Sequence, residues 1–266
     1  MEQVRALVLR AAGVNCDLET QSALELAGAA AQRIHINRII EDASLLDSFQ
    51  MLVFPGGFSY GDDVAAGKIL ANQIVHHLTE PLHNFIQAGK LILGICNGFQ
   101  VLMKTGLLPG FDGQSRASLA EQPATLTDND SGKFEDRWVY LQPGSDRCVF
   151  IDPARRLYLP IAHGEGKLVA RDRQTLERII SGGFAAFRYV DGSGQTGPFP
   201  INPNGSADSI AGLTDSTGRV LGLMPHPERF VRRTQHPRWT RLKNTDDAAD
   251  GMTIFNNAIG YIRKNF

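Results

Sequence analysis

The stretch LILGICNG, residues 91–98, decides the fold. It is an apolar run typical of a buried strand, it ends in Gly-x-Cys-x-Gly, and residues 99–103 (FQVLM) are typical of the start of a helix. A residue on such a sharp strand-to-helix turn presents its side chain clear of the backbone, and flanking glycines relieve the crowding. The helix N-terminus favours a thiolate and a developing oxyanion. Cys96 is therefore predicted to be a nucleophile, the alternative being a buried structural cysteine.

The composition predicts a folded cytoplasmic protein. Lys and Arg total 27 against 28 Asp and Glu, which argues against a general binder of nucleic acid or of anionic membranes. No apolar run approaches the roughly 18 residues of a membrane helix, and the N-terminus lacks a signal-peptide pattern. Cys16, Cys96 and Cys148 form no CxxC pair, which favours a reducing compartment; no chemistry is assigned to Cys16 or Cys148.

Apolar runs alternate with helical patterns through the first hundred residues. Strands are predicted at residues 4–9, 33–36, 51–54 and 90–95, and helices at 17–30, 64–78 and 81–88. Strands that are apolar on both faces and separated by helices indicate an α/β fold with a parallel sheet covered on both sides. Ligands bind at the carboxyl ends of such strands, where Cys96 and the loop after Phe54 both lie.

The second half has a more irregular pattern. Residues 109–132 are predicted to be a long surface connection and residues 191–206 a loop. Further strands are predicted at residues 134–141, 167–170, 185–190, 209–213 and 220–224, and a final amphipathic helix at 251–262. Without a repeat or a convincing linker, the prediction is one domain spanning residues 1–266.

A nucleophilic thiol needs a base, and the base needs an orienting partner. His226 follows an apolar strand in the string MPHPE, where two prolines stiffen the backbone. In an extended segment Glu228 would lie on the same side as His226 and could hold one of its ring nitrogens. The alternative is that Pro-His-Pro-Glu is only a rigid turn.

The loop PGGFSYGDD, residues 55–63, follows the third predicted strand. Its glycines would let a backbone N–H approach a substrate oxygen, as an oxyanion hole requires. The spacing matches neither of the common phosphate-binding glycine motifs, and an ordinary turn explains Gly56-Gly57 equally well.

Together, these motifs resemble those of a class I (triad) glutamine amidotransferase. Further strings resemble the glutaminase part of phosphoribosylformylglycinamidine synthase in particular: GFSYGD (57–62), FEDRW (134–138), HGEG (163–166), NPNGS (202–206) and MPHPER (224–229). The resemblance runs from about residue 5 to the C-terminus. It implies a flavodoxin-like α/β fold, the class I glutamine amidotransferase fold, with a central, mostly parallel sheet flanked by helices.

The resemblance also implies roles for individual residues. Cys96 would attack the side-chain amide of glutamine, His226 would take and return the proton, and Glu228 would orient His226. Gly57 and Asn97 would supply the N–H groups of the oxyanion hole.

Further site residues follow from the same resemblance. Gly56 belongs to the substrate-binding loop, and Gln100, one helical turn after the nucleophile, would lie near the bound glutamine. His163 and Glu165 would line the mouth of the site where ammonia leaves; the alternative for both is a capped turn between strands. No metal site is expected.

The function implied is hydrolysis of glutamine to supply ammonia for the synthesis of formylglycinamidine ribonucleotide from formylglycinamide ribonucleotide in purine synthesis. The expected partners are an ATP-dependent synthetase subunit and a small bridging subunit. No cofactor is expected in this chain, since ATP and Mg²⁺ would be used by the synthetase. Two alternatives stay open: a partner-independent cysteine hydrolase of γ-glutamyl or peptide bonds, and a catalytically silent scaffold subunit.

Overall fold

A central sheet of nine strands organises the computed structural model, which describes residues 3–111, 122–241 and 249–266. The strand order is β2-β1-β3-β4-β11-β10-β9-β6-β7, and β5 pairs with β8 in a separate two-stranded sheet. The strands are β1 (Arg5–Arg10), β2 (Ala30–His35), β3 (Met51–Phe54), β4 (Leu91–Ile95), β5 (Ala124–Asp128), β6 (Glu135–Pro143), β7 (Leu157–His163), β8 (Glu165–Ala170), β9 (Ala185–Val190), β10 (Ile210–Thr214) and β11 (Val220–Leu223).

The sheet has a parallel half and an antiparallel half. Strands β2, β1, β3, β4 and β11 are parallel, and the remaining pairings from β11 to β7 are antiparallel. The order β2-β1-β3-β4-β11 is that of flavodoxin-like sheets, which confirms the predicted fold class. Every residue of β3, β4 and β11 is buried, as continuous apolar strands in the middle of a covered sheet require.

Seven helices accompany the strands in the described part of the chain. They are α1 (Asp17–Leu26), α2 (Ile36–Glu41), α3 (Lys68–His77), α4 (Thr79–Gln87), α5 (Asn97–Lys104), α6 (Arg173–Ser181) and α7 (Gly251–Asn265). Helix α5 packs against β3, β4, β11 and α3, whereas α1 packs against β1, β2 and α7. No helix in the described ranges is both long and apolar enough to cross a bilayer.

Several predicted boundaries are wrong, for local reasons. The helix predicted at 17–30 ends at Leu26, because Gly28 adopts a positive φ of 90° and the chain turns into β2. The helix predicted at 64–78 begins only at Lys68, after Gly67 in the left-handed region. Strand β5 lies within residues 109–132, which were predicted to be a surface connection; residues 112–121 of that segment are outside the described part.

Besides β5, three further elements were not predicted. Strand β7 contains Pro160, which argues against a strand in the interior of a sheet; β7 is the edge strand, where a missing N–H is tolerated. Helix α6 begins at a cap in which Asp172 accepts a hydrogen bond from the Thr175 N–H at 2.7 Å. Helix α2 follows β2 directly, with His35 as its cap.

The register of β4 and β11 brings two distant segments to one edge of the sheet. Ile95 pairs with Leu223, and the Cys96 N–H donates a hydrogen bond to the Leu223 carbonyl at 2.8 Å. Both strands run in the same direction, so the residues that follow them emerge side by side. The predicted nucleophile and the predicted base therefore meet at the carboxyl edge.

Candidate active site

Cys96 lies on a strained turn between β4 and α5. Its φ is 51° and its ψ −107°, a conformation that non-glycine residues rarely adopt and that costs about 1–3 kcal/mol. The two glycines of the motif are sterically required. A Cβ at Gly98 would lie 1.9 Å from the Phe54 carbonyl oxygen, and one at Gly94 would lie 2.6 Å from Leu102 Cδ1. The motif thus fixes a tight crossing of α5 over β3 and β4, with Cys96 at its apex.

Two backbone N–H groups predicted to bind an oxyanion lie in loops beside this turn. Neither the Asn97 nor the Gly57 N–H donates a hydrogen bond to any group in the described ranges. Gly57 has a φ of 135°, and a Cβ there would lie 2.6 Å from the Asn15 nitrogen and 2.8 Å from the Gly13 carbonyl oxygen. Only glycine fits this position, so the loop keeps the free N–H in a fixed place.

His226 and Glu228 form a buried pair just after β11. The ring Nδ1 of His226 lies 2.6 Å from Oε1 of Glu228, and both side chains are almost completely buried. The expected extended segment is wrong here, because Pro227–Arg229 forms a 3₁₀ turn. The turn nevertheless brings the carboxylate to the imidazole, and the His226 N–H is anchored to the Pro160 carbonyl at 2.8 Å.

The surroundings of His226 favour its charged form. Burial by itself lowers the pKa of His226, but the Glu228 carboxylate and the Cys96 sulfur outweigh it and hold the pKa well above the usual value. The ring Nε2 of His226 has no hydrogen-bond partner in the described structure. The arrangement is an imidazolium near the Cys96 sulfur, with its Nδ1 held by a carboxylate.

Gln100 is engaged in a network and does not point freely into the site. Its Nε2 donates to the Glu165 carbonyl at 2.5 Å, and its Oε1 accepts from Asn97 Nδ2 at 3.0 Å. The Asn97 Oδ1 in turn accepts from the Ser59 N–H at 3.1 Å. These contacts tie the start of α5 to the glycine loop and to β8. Direct contact between Gln100 and a bound glutamine stays a prediction.

His163 and Glu165 flank the tight connection between β7 and β8. Burial and the nearby His226 lower the pKa of His163 to about 3, so its ring is neutral at physiological pH. Its Nδ1 lies 3.1 Å from Asn129 Oδ1, and its Nε2 has no partner in the described structure. The preceding Ala162 carbonyl is 3.7 Å from the Cys96 sulfur, which places this connection beside the nucleophile.

The loop NPNGS, residues 202–206, makes hydrogen bonds to β8, which follows the connection that contains His163. Asn204 Nδ2 donates to the Gly166 carbonyl at 2.8 Å, and the Ser206 hydroxyl accepts from the Leu168 N–H at 3.0 Å. A Cβ at Gly166 would lie 2.3 Å from the His163 ring. Although it lies far away in the sequence, this loop therefore holds the strand on which the His163 ring rests.

Two residues near the site were not predicted from the sequence. The sulfur of Cys16, at the start of α1, lies within 4.8 Å of ligand atoms of His226 and Glu228. Arg229 Nη2 donates to the Cys16 sulfur at 3.2 Å. Nothing in the spacing of the sequence indicated that the start of α1 packs against the turn after β11.

One group in the described ranges has the composition of a metal site. Cys16, His226 and Glu228 each offer a ligand atom, and these atoms lie within 4.8 Å of one another. Two observations oppose a cation there: the His226 Nδ1 is already bound to Glu228, and the Arg229 guanidinium contacts the Cys16 sulfur. The contacts of these three side chains therefore do not fit a metal centre.

Comparison with known proteins agrees with this geometry. A family model of the CobB/CobQ-like glutamine amidotransferase domain matches residues 3–262. The phosphoribosylformylglycinamidine synthase subunit PurQ of Dehalococcoides mccartyi is 46% identical, over 99% of this chain and 100% of the relative. The PurQ subunit of Archaeoglobus fulgidus is 41% identical, over 99% of this chain and 98% of the relative.

Solved structures show the same relationship. A chain in the structure of PurLQS from Thermotoga maritima superposes with a TM-score of 0.72 and 31% identity, over 98% of this chain and 100% of that chain. A GMP synthase subunit from Thermoplasma acidophilum, at 14% identity and a TM-score of 0.57, shares the fold, over 100% of this chain and 96% of that chain. The chain therefore belongs to the CobB/CobQ-like glutamine amidotransferases, in the family of PurQ subunits of phosphoribosylformylglycinamidine synthase.

Proposed function

We propose that this chain is the glutaminase subunit of phosphoribosylformylglycinamidine synthase. It hydrolyses glutamine to glutamate and ammonia, and the ammonia converts formylglycinamide ribonucleotide to formylglycinamidine ribonucleotide. The observation that carries the proposal is the buried Cys96, His226 and Glu228 group, in which the Nδ1 of His226 lies 2.6 Å from Glu228 at the edge where β4 and β11 end. The family of the chain supplies the substrate.

The first half of the reaction forms a thioester. The Cys96 thiolate attacks the side-chain carbonyl carbon of glutamine, and the negative charge moves to the carbonyl oxygen. The free N–H groups of Gly57 and Asn97 stabilise that oxyanion. The imidazolium of His226 gives its proton to the amide nitrogen, the carbon–nitrogen bond breaks, and ammonia leaves. Glu228 holds the ring in position throughout.

The second half regenerates the thiolate. Neutral His226 takes a proton from water, and the resulting hydroxide attacks the thioester carbon. The tetrahedral intermediate collapses, the carbon–sulfur bond breaks, and glutamate leaves. His226 is then the imidazolium beside the Cys96 thiolate again, which is the state that its raised pKa favours.

His163 is suited to the path by which ammonia leaves. Ammonia must travel as the neutral molecule, because the ammonium ion has no nucleophilic lone pair. Burial keeps His163 neutral, with its pKa lowered to about 3, so it is not an acid toward ammonia in the site. The unpartnered Nε2 of His163 is the atom on this path that can exchange a hydrogen bond with ammonia. Glu165 lies two residues further along the same connection.

An exposed apolar rim near this connection supports docking of the synthetase subunit there. Phe58 and Phe134 are about half exposed, their ring centroids are 6.4 Å apart, and Phe134 lies beside Gly164. Val64 is 71% exposed on the same glycine loop. Exposed apolar groups around a site mouth are typical of an interaction surface. Docking here would deliver ammonia directly to the partner.

The long segments at residues 109–132 and 191–206 are also proposed to dock the partner or to gate the site. In residues 191–206, Phe199 is exposed and its ring lies 4.6 Å from the Arg137 guanidinium. A small bridging subunit completes the proposed complex, and ATP and Mg²⁺ act in the synthetase. We place the complex in the cytoplasm, in keeping with three free cysteines.

Glutamate release measured with and without partners tests the proposal. The purified chain alone should hydrolyse glutamine weakly, and turnover should rise when the synthetase subunits, formylglycinamide ribonucleotide and ATP are added. A Cys96→Ala chain in the same complex is the control, since ammonia should still support synthesis. Full turnover by the chain alone, unchanged by any partner, would instead identify an independent hydrolase. Absence of turnover in every mixture would identify a silent scaffold.

A further inference from the structure

A second thiol contacts the imidazole of His226 and has no part in the proposed reaction. Cys16 is completely buried at the N-terminus of α1. Its sulfur lies within 4.8 Å of ligand atoms of both His226 and Glu228. A Cβ built on Gly56 would meet the Cys16 sulfur at 3.2 Å and His226 Cε1 at 2.8 Å, so Gly56 leaves just enough room for both side chains.

The backbone holds Cys16 firmly in this place. Its N–H donates to the Gly56 carbonyl at 3.3 Å. Its carbonyl accepts from the Thr20 N–H at 3.0 Å and from the Thr20 hydroxyl at 2.7 Å. The backbone of Cys16 is thus fixed between the glycine loop and the first turn of α1, which places the thiol beside the His226 ring.

The sulfur also connects the imidazole to a surface ion pair. Arg229 Nη2 donates to the Cys16 sulfur at 3.2 Å, and Arg229 Nε donates to Glu19 at 2.9 Å. Asn15 Oδ1 accepts the thiol hydrogen at 3.4 Å. Burial raises the pKa of Cys16 to about 11, so it stays a neutral thiol and does not compete with Cys96 as a nucleophile.

We propose that Cys16 is a positioning residue for His226, holding the imidazole against Glu228 and keeping water away from that pair. The inference rests on the proposed glutaminase function, because it assigns His226 as the base. A smaller side chain at position 16 would open space beside the ring. Water there would hydrate the carboxylate and weaken its hold on the imidazolium. The ring would then also lose one of the contacts that fix its orientation.

The expected effect on pH dependence follows from the titratable and charged groups that face the ring. These are Glu228 and Arg229 on its own turn, Cys96 after β4, Cys16 before α1, and His163 at the end of β7. The Glu228 carboxylate favours the imidazolium. Hydration of this carboxylate should therefore lower the pH at which His226 loses its proton.

The rate at which iodoacetate alkylates Cys96 reports the deprotonation of His226. The imidazolium attracts the anionic reagent, so the rate should fall on the alkaline side as His226 loses its proton. Rates are measured against pH for the wild-type chain and for the Cys16→Ala and Cys16→Ser variants, with peptide mapping of the label. The Cys148→Ala variant is the matched control, since Cys148 is a buried thiol beside Thr214 with no contact to the triad in the described structure.

We expect the alkaline limb of the Cys16→Ala profile to move to lower pH. The Cys16→Ser profile should lie in between, because the hydroxyl still fills part of the space that the thiol occupies. In the assembled complex, Cys16→Ala should lower the glutamine-dependent kcat by about tenfold and leave ammonia-dependent synthesis unchanged. The Cys148→Ala variant should follow the wild type in both assays.

A Cys16→Ala profile that coincides with the wild-type profile overturns the inference and leaves Cys16 a packing residue. If Cys16→Ala does not fold, the Cys16→Ser profile decides, and coincidence with the wild type refutes the positioning role. The alkylation assay needs no glutamine turnover. A wild-type complex that is labelled at Cys96 but releases no glutamate would refute the proposed function while the positioning of His226 remained measurable.

Discussion

Replacing Gly56 by alanine moves the His226 ring without removing any group that reacts. Gly56 is not in the left-handed region, so alanine is compatible with its backbone, and the effect comes from contact alone. The new methyl would lie 2.8 Å from His226 Cε1, whereas ordinary contacts begin at 3.4 Å, so the ring must shift by about 0.6 Å. The Cys16 sulfur, at 3.2 Å from the same methyl, limits movement in its direction.

Such a shift should cost the glutamine-dependent kcat about 10-fold to 100-fold, because misplacement of a catalytic group by 1 Å can cost roughly 100-fold. That loss corresponds to about 1.4–2.7 kcal/mol of transition-state stabilisation. Glutamate release by the complex measures it, and ammonia-dependent synthesis checks that the complex is intact. Gly164→Ala is the control, since its methyl would meet only the Phe134 ring, at 3.9 Å. Overpacking at Gly56 should also lower the free energy of unfolding by about 1–3 kcal/mol, and the Tm should fall with it.

A Gly56→Ala complex with the wild-type kcat would refute the reasoning, because it would mean that the position of the His226 ring does not limit the reaction. An equal loss in Gly164→Ala would show that the effect is a general disturbance of the loops around the site. A loss that appears in ammonia-dependent synthesis as well would show that the variant damages assembly instead.

Three further predictions concern the other site residues. A glutamine-like electrophile should label Cys96 and abolish glutamine-dependent but not ammonia-dependent synthesis; a label mapped to another cysteine would contradict the assignment. His226→Ala should cost at least as much kcat as Glu228→Ala, and about 100-fold or more, and equal near-wild-type rates would make this segment only a turn. Because the pKa of His163 is lowered to about 3 from 6.5, stability should fall as pH drops from 6.5 towards 3, since the unfolded chain binds a proton that the folded chain does not. In denaturant titrations at a series of pH values, the free energy of unfolding should fall less steeply with decreasing pH for His163→Gln than for the wild type.

The elements around Cys96 were predictable because their signals are local. The strand before Cys96, the helix after it and the glycines on either side follow from short-range sterics and from apolar runs of unambiguous length. Strand β3 was predicted at its observed bounds, Met51–Phe54, for the same reason. The family resemblance and the fold class were both confirmed. The single-domain organisation stays a prediction.

The remaining features depend on tertiary contacts that the sequence pattern does not carry. Strand β7 was not predicted because it contains Pro160, and a proline argues against a strand in the interior of a sheet. Only the strand order shows that β7 is at an edge. Cys16 appeared as an ordinary cysteine because its surroundings depend on the packing of the start of α1 against the turn after β11. The place of Gln100 beside the substrate stays a prediction, and the structure adds that its amide joins Asn97 to the Glu165 carbonyl. These contacts involve residues that are distant in the sequence.

Strand β11 also constrains how the chain can be synthesised and folded. It comes late in the sequence yet lies in the interior of the sheet, between β4 and β10. Until the ribosome has released this segment, β4 has an unpaired, wholly apolar edge, the kind of surface that promotes aggregation. Such non-local pairing also slows folding. The nascent chain therefore carries Cys96 without its base from residue 96 until residue 226 has been added, and the reactive pair appears only when the sheet is complete.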